Sequence, residues 1–174
     1  AQTWPTQPIQ LIVPFPGGAS TLDAVVRLVG AEVSRELATP VIVENKLGGG
    51  GVVGRSAAAR ATPDGTTLLT MDMSYSTAAG LTPNLPYDPK TAFIPITMAV
   101  SVPHVLVVNP NVPAKNMKEL IALAKSHPDK LNFGSGGIGT NTHLGGELFK
   151  SLAGVSVVHV PYKGAGAVLA DLMA

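Results

Sequence analysis

The sequence predicts an α/β fold built on mainly parallel sheets. Short apolar runs rich in Val, Ile and Leu alternate with stretches of helical period, and Pro or Gly stands at most junctions. Such β-α-β-α-β alternation is satisfied by parallel strands joined through right-handed crossovers. Twice it takes the form strand, glycine-rich turn, helix: in LIVPFPGGASTLDAVVRLV (11–29) and in LNFGSGGIGTNTHLGGELFKSL (131–152). A turn of that kind presents backbone N–H groups at the positive end of a helix dipole, which is a generic anion site.

The first strand is read as Ile9–Val13, running through Pro14 and Phe15 into Pro16-Gly17-Gly18. Ser20, Thr21 and Asp23 mark the start of a helix over Leu22–Leu37, with Ser20 as its cap rather than a nucleophile. Pro40 restarts the chain as a strand, Val41–Glu44. The loop Asn45–Gly51 is too glycine-rich for regular structure, and a small-residue helix, Val52–Ala61, follows. Thr62-Pro63-Asp64-Gly65 is a turn signal. A third strand, Thr66–Met71, then leads to a short helix over Asp72–Gly80.

The middle of the chain differs. Pro83, Pro86, Pro89 and Pro95 make Leu81–Pro95 a surface loop. Ile96–Val102 and Val105–Asn109 read as strand material on either side of Pro103-His104, crossing into a second lobe. The expected division is 1–103 and 104–174. Alternation then resumes. Asn116 caps a helix, Met117–Ser126, that His127-Pro128-Asp129 breaks. Strand Leu131–Gly134, helix His143–Leu152, strand Val155–Val160, turn Pro161–Gly166 and helix Ala167–Ala174 complete the reading.

Bulk properties exclude several functions. Twelve basic residues against 11 acidic ones leave a net charge of +1, scattered along the chain, and aromatic residues are 5%. No nucleic-acid surface is expected. The absence of cysteine removes thiol chemistry, disulfides and Cys-based metal sites. No apolar run is long enough to insert in a membrane. The N-terminal AQTWPTQPIQ reads as a mature end left after removal of a signal peptide.

The motifs favour binding over turnover. Gly134–Gly139 is literally G-x-G-x-x-G between a strand and a helix, but the next strand ends His159-Val160-Pro161 without the acid that would hold a ribose. Neither glycine turn ends in the G-K-[ST] of a P-loop, and Gly18-Ala19-Ser20-Thr21-Leu22 lacks the closing glycine of a nucleophile elbow. His143 and Glu147 stand one helical turn apart, too few for a metal and without HExxH. His104, His127 and His159 read as structural. Asp23 is either a contact for a ligand amine or a first-turn acid suited to the helix dipole. No buried arginine clamp is evident, no metal or cofactor is called for, and no nucleophile–base pair is visible.

Six ordered blocks then carry a family likeness across essentially the whole chain: PIQLIVPFPGG…D…R, VIVENKLGGGG, ARATPDGTTLL, VLVVNPNVPAKNMKELIALAKSHPDKLNFGSGG, THLGGELFKSLAG and VHVPYKGAG…DL. Together they resemble the extracytoplasmic solute receptors of tripartite tricarboxylate transporters, the Bug family. The resemblance implies a periplasmic, non-enzymatic Venus flytrap with two lobes, whose partners are a small carboxylate and the permease subunits of the transporter. It also implies longer chains, so that the second lobe and the return to the first are incomplete here. By the resemblance, Phe15, Pro16, Gly17, Gly18 and Ser20 form the first-lobe ligand loop. Met73 and Ser74 line the cleft, Ser135, Gly136, Gly137, Thr140 and Thr142 form the carboxylate site, and Lys163, Gly164, Ala165 and Gly166 close one side. One departure stands out: Gly18 and Asp23 are five residues apart, more than in the family pattern, so a remodelled first loop is expected. A carboxylate held by neutral donors predicts micromolar affinity. The competing readings are an α/β enzyme that binds a nucleotide or carboxylate at the GSGGIG turn, and a shortened receptor unable to bind.

Overall fold

Strand β1 (Ile9–Val13) is the centre of the first unit, and its composition explains why. A strand covered on both faces is continuously apolar, and Ile9, Ile12 and Val13 are 0%, 2% and 0% exposed. The structure, a computed structural model, describes residues 4–18 and 21–174, apart from the Thr21 side chain. Ser20, expected as a cap and ligand contact, lies outside the described residues. The chain divides into two units, Ala1–Ser101 and Val102–Ala174.

In the first unit β1 is flanked by β2 (Val41–Asn45) and β3 (Thr67–Leu69), both parallel to it, in the order β2-β1-β3. The register pairs Ile9 with Val41, Val13 with Asn45, and Leu11 with Leu68. Helix α1 (Thr21–Glu36) carries Asp23 in its first turn and Arg35 in its last, which suits its dipole. Its Val26 joins Leu11 and Val13 in the core, with Phe15, Leu22, Val41, Val43 and Leu68 packed around them. After β2, a single 3-10 turn (Gly49–Gly51) leads into α2 (Val52–Ala59). A Cβ on Gly54 would lie 2.9 Å from the Lys46 carbonyl oxygen and 3.1 Å from Pro14 Cα, so α2 rests on the end of β1 only because Gly54 has none. Helix α3 (Met73–Leu81) follows β3, capped by Asp72.

The second unit contains α4 (Met117–Ser126), β4 (Asn132–Ser135), α5 (Asn141–Ala153), β5 (Val158–Pro161) and α6 (Ala165–Met173). Strands β4 and β5 are parallel, with Asn132 opposite Val158 and Ser135 opposite Pro161. Helix α4 has the bounds expected from sequence because its start is reciprocally capped. Asn116 Oδ1 accepts the Glu119 N–H at 3.0 Å, and Glu119 Oε2 accepts the Lys115 N–H at 2.7 Å.

Two expected strands are absent. Residues 93–109 form neither helix nor strand, although Ile96–Val102 and Val105–Asn109 are apolar enough for both. A strand exists only where a neighbour completes its ladder, and no neighbour does so among the described residues. Pro95 and Pro103 remove two donors as well. Ile96 and Val105 are accordingly 78% and 79% exposed. Smaller corrections concern the ends: β5 begins at Val158 rather than Val155, β3 ends at Leu69, and α6 starts at Ala165, inside the expected turn.

Candidate functional site

Parallel strands place their C-terminal ends along one edge, which is where open α/β sheets present ligand surfaces. In the first unit that edge holds the loop after β1, Asn45 with the glycine turn after β2, and Asp72–Ser74 after β3. The first two are tied together through Asp23, which is 1% exposed. Its carboxylate accepts from the Gly18 N–H at 2.8 Å, from Arg27 Nε at 3.0 Å and from Asn45 Nδ2 at 2.8 Å. Asn45 Nδ2 also donates to the Phe15 carbonyl at 2.9 Å, and its Oδ1 accepts from the Arg27 guanidinium at 2.8 Å. Hydrogen bonds from Arg27, joined by Asn45 and Gly18, outweigh burial and hold the Asp23 carboxyl at about 2. Asp23 is therefore the inward latch of the loop, and the five-residue spacing to Gly18 is spanned by a direct bond. Gly18 at φ 71 takes the left-handed backbone that this closure needs.

Arg55, which the sequence did not single out, is 0% exposed. It donates to the Ser74 hydroxyl and to the Gly50 carbonyl at 3.3 Å, and lies 3.6 Å from Asp72 Oδ1. The guanidinium carbon sits 5.8 Å from the Tyr75 ring centroid. Among the described residues its Nε has no hydrogen-bond partner. Ser74 passes the contact on by donating to Asp72, whose carboxylate caps α3. The glycine turn after β2 and the segment after β3 are thus pinned to one buried cation.

In the second unit the GSGGIG turn is closed mainly upon itself. Ser135, 1% exposed, lies 2.6 Å from His159 Nε2 and accepts the Gly137 N–H at 3.2 Å. Thr142 Oγ1 accepts the Gly136 N–H at 3.0 Å. Thr140 donates to the Gly137 carbonyl at 2.6 Å and caps α5 by accepting the His143 N–H at 3.4 Å. His143 Nδ1 accepts the Gly139 N–H at 3.1 Å. The turn after β5 docks on the same edge, with the Gly164 N–H bonded to the Gly136 carbonyl at 3.1 Å. Beneath the turn, Phe133, His159 and His143 form a stack with centroid separations of 4.8 Å and 4.2 Å. Burial, seconded by the charge of neighbouring His143, pushes His159 below the usual imidazole range.

The residues singled out by sequence fall into three sets. Gly17, Gly18, Met73 and Ala165 are exposed, while Phe15, Pro16, Gly136, Gly137, Thr142 and Gly164 are half-buried. Ser74, Ser135 and Thr140 are buried, at 4%, 1% and 7% exposure, with their hydroxyls engaged inside the protein. Ser135, Gly136, Gly137, Thr140, Thr142 and Gly164 are brought together in one unit, and Phe15–Gly18 with Met73 and Ser74 lie on the edge of the other. Arg55, Asn45 and Arg27 were not singled out for roles of their own. Asn45 had a local signal, a polar residue closing an apolar strand, whereas Arg55 looked like any solvated helix residue. Glu147 pairs with Lys150 at 2.9 Å.

A family model described as the tripartite tricarboxylate transporter family receptor (TctC) matches residues 25–174. The chain belongs to that receptor family. Protein BugT of Bordetella pertussis is 39% identical over 175 residues, covering 99% of this chain and 53% of BugT. The structure of R. palustris Rpa4515 with adipate matches with a TM-score of 0.92 at 33% identity, over 98% of this chain and 57% of that one. MatC from Rhodopseudomonas palustris with bound malate matches with a TM-score of 0.86 at 32% identity, over 97% and 57%. This receptor chain therefore spans about half the length of the curated relatives it matches. Membership of a receptor family sets aside the enzyme alternative for the GSGGIG turn. No helix is long and apolar enough to cross a membrane among the described residues.

Proposed function

We propose that this chain captures a small dicarboxylate in the periplasm for delivery to the permease of a tripartite tricarboxylate transporter. The observation that carries the reading is the match, at TM-scores of 0.92 and 0.86, to structures holding adipate and malate, both dicarboxylates. The second unit supports it physically. Its glycine turn stands at the start of α5, a helix of 13 residues, where the dipole favours an anion. Gly136, Gly137, Thr140 and Thr142 supply backbone and hydroxyl polarity there, flanked by Gly164 and Ala165. Because hydrogen bonds within the turn order it before any ligand arrives, little conformational entropy remains to be lost on binding. In the first unit, Phe15–Gly18 and Met73 provide a second ligand surface, with Ser74 acting from below through Arg55.

Thermal unfolding of the chain with adipate, malate, NAD(H) and nucleotides tests the reading. A ligand at about a hundred times its Kd stabilises the folded state by ~2.7 kcal/mol. A shift with the dicarboxylates and none with the nucleotides is the expected result. A shift confined to the nucleotides overturns it.

A further inference from the structure

His159 has no part in the function described above, yet it binds the residue that anchors the proposed carboxylate turn. Strands β4 and β5 place Phe133 opposite His159, and Ser135, two residues further along β4, shares their face of the sheet. Across that diagonal the half-buried imidazole brings Nε2 to 2.6 Å from Ser135 Oγ. Ser135, 1% exposed, is too deep to meet a ligand itself. Its hydroxyl instead accepts the Gly137 N–H at 3.2 Å. At the other end of the same peptide unit, the Gly136 carbonyl accepts the Gly164 N–H at 3.1 Å. The Gly136–Gly137 peptide is thus pinned on both sides.

The direction of the Ser135 proton decides how firmly. Ser135 Oγ lies 3.3 Å from the Gly137 carbonyl, but that carbonyl already accepts from the Thr140 hydroxyl at 2.6 Å and the Thr140 N–H at 3.3 Å. These two donors occupy both of its lone pairs. The Ser135 proton is left for His159 Nε2, on a ring that burial keeps neutral at neutral pH. A hydroxyl that donates in a short bond is a stronger acceptor for its other partner, here the Gly137 N–H.

We propose that His159 is a positioning residue for carboxylate capture: through Ser135 it fixes the Gly136–Gly137 peptide and keeps the Gly136 carbonyl on Gly164, away from the anion.

A peptide between two glycines resists rotation least of any. Released from Ser135, it is free to turn, and a carbonyl freed from Gly164 opposes an anion at the start of α5. The inference rests on the carboxylate reading, and the variants keep the two apart. His159→Phe retains a ring to stack on Phe133 and His143 but has no nitrogen for Ser135. His159→Gln gives up the stack and offers a side-chain amide near the place of Nε2.

In calorimetric titration with adipate, His159→Phe is expected to bind about three- to tenfold more weakly than the parent. His159→Gln should stay within about twofold of the parent. Ser135→Ala should lose as much as His159→Phe, and the double variant no more than either, because both break one chain of bonds. A role in stability alone gives the opposite order, since glutamine forfeits the ring contacts. In the ligand-free chain, hydrogen exchange at the Gly137 amide should quicken in His159→Phe and Ser135→Ala but not in His159→Gln. Affinity unchanged in His159→Phe, or losses that add in the double variant, overturns the proposal. If the parent binds no dicarboxylate, the carboxylate reading fails, and the Gly137 amide still decides whether His159 holds the peptide.

Discussion

The Gly18 N–H donates to the Asp23 carboxylate at 2.8 Å, closing the loop after β1 onto the first turn of α1. The same carboxylate gathers Arg27 and Asn45, so one buried acid sets the path of Phe15–Gly18 and ties it to the end of β2. The backbone of the proposed ligand loop is thereby held, and the holding group faces inward.

The Asp23 latch has a pH signature. Its folded-state carboxyl sits at about 2, below the unfolded value of 3.8. Its contribution is therefore complete above about pH 4 and disappears as the pH falls towards about 2. The size implied is on the order of 2 kcal/mol, since one unit corresponds to about 1.4. Denaturant midpoints measured across the acid range should fall in the parent, and Asp23→Asn should start lower and flatten that limb.

Arg55 should be costly to shorten. Removing one member of a buried ionic contact typically costs about 3–5 kcal/mol, because polar groups built around it lose their partner. Arg55→Ala is expected near that range, with Ser74, Asp72 and the Gly50 carbonyl all affected. Arg55→Met should cost less, since it keeps the apolar volume. Urea unfolding of the two variants checks the order, and equal losses would contradict it.

Gly146 leaves room for the aromatic stack. A Cβ at that position would lie 2.2 Å from Phe133 Cε2, so the ring must move. Gly146→Ala should destabilise by about 1–3 kcal/mol, the usual range for overpacking. It should also shift the His159 ring resonances, because Phe133 stacks on that ring. Gly145, with open space around its Cβ position, is the control: Gly145→Ala should be neutral or mildly stabilising.

His159 predicts weakening on mild acidification. Burial lowers its folded-state value below 6.5, so the unfolded chain binds the proton more readily. The contribution of the neutral ring is complete above about pH 6.5 and declines below it. Thermal midpoints should therefore drop from about pH 7.5 to about pH 5.5, with a smaller drop in His159→Gln. An unchanged drop in that variant would assign the effect elsewhere.

Much of this was legible in the residues. β1 and α4 lie where Ile9–Val13 and the Asn116 cap placed them, because apolar runs and capping boxes act within a few residues. The GSGGIG turn was also visible, and with it Ser135, Gly136, Gly137, Thr140 and Thr142 as one group. What the glycines suggested less well was the state of their donors: Gly136, Gly137 and Gly139 already donate to Thr142, Ser135 and His143. The apolar runs Ile96–Val102 and Val105–Asn109 were misread, since strand-like residues make a strand only beside a partner.

By itself, then, the sequence determined the α/β alternation, the two strand–turn–helix units and the likeness to a carboxylate receptor, all of which rest on short-range period and spacing. Tertiary structure alone decided that Asp23 turns inward to Gly18, Arg27 and Asn45, that Arg55 is buried against Ser74, and that His143 and His159 stack beneath the second turn. The physical reason is common to all three. A polar side chain finds its partner by which strand ends the fold brings to one edge, and that depends on pairings far apart along the chain.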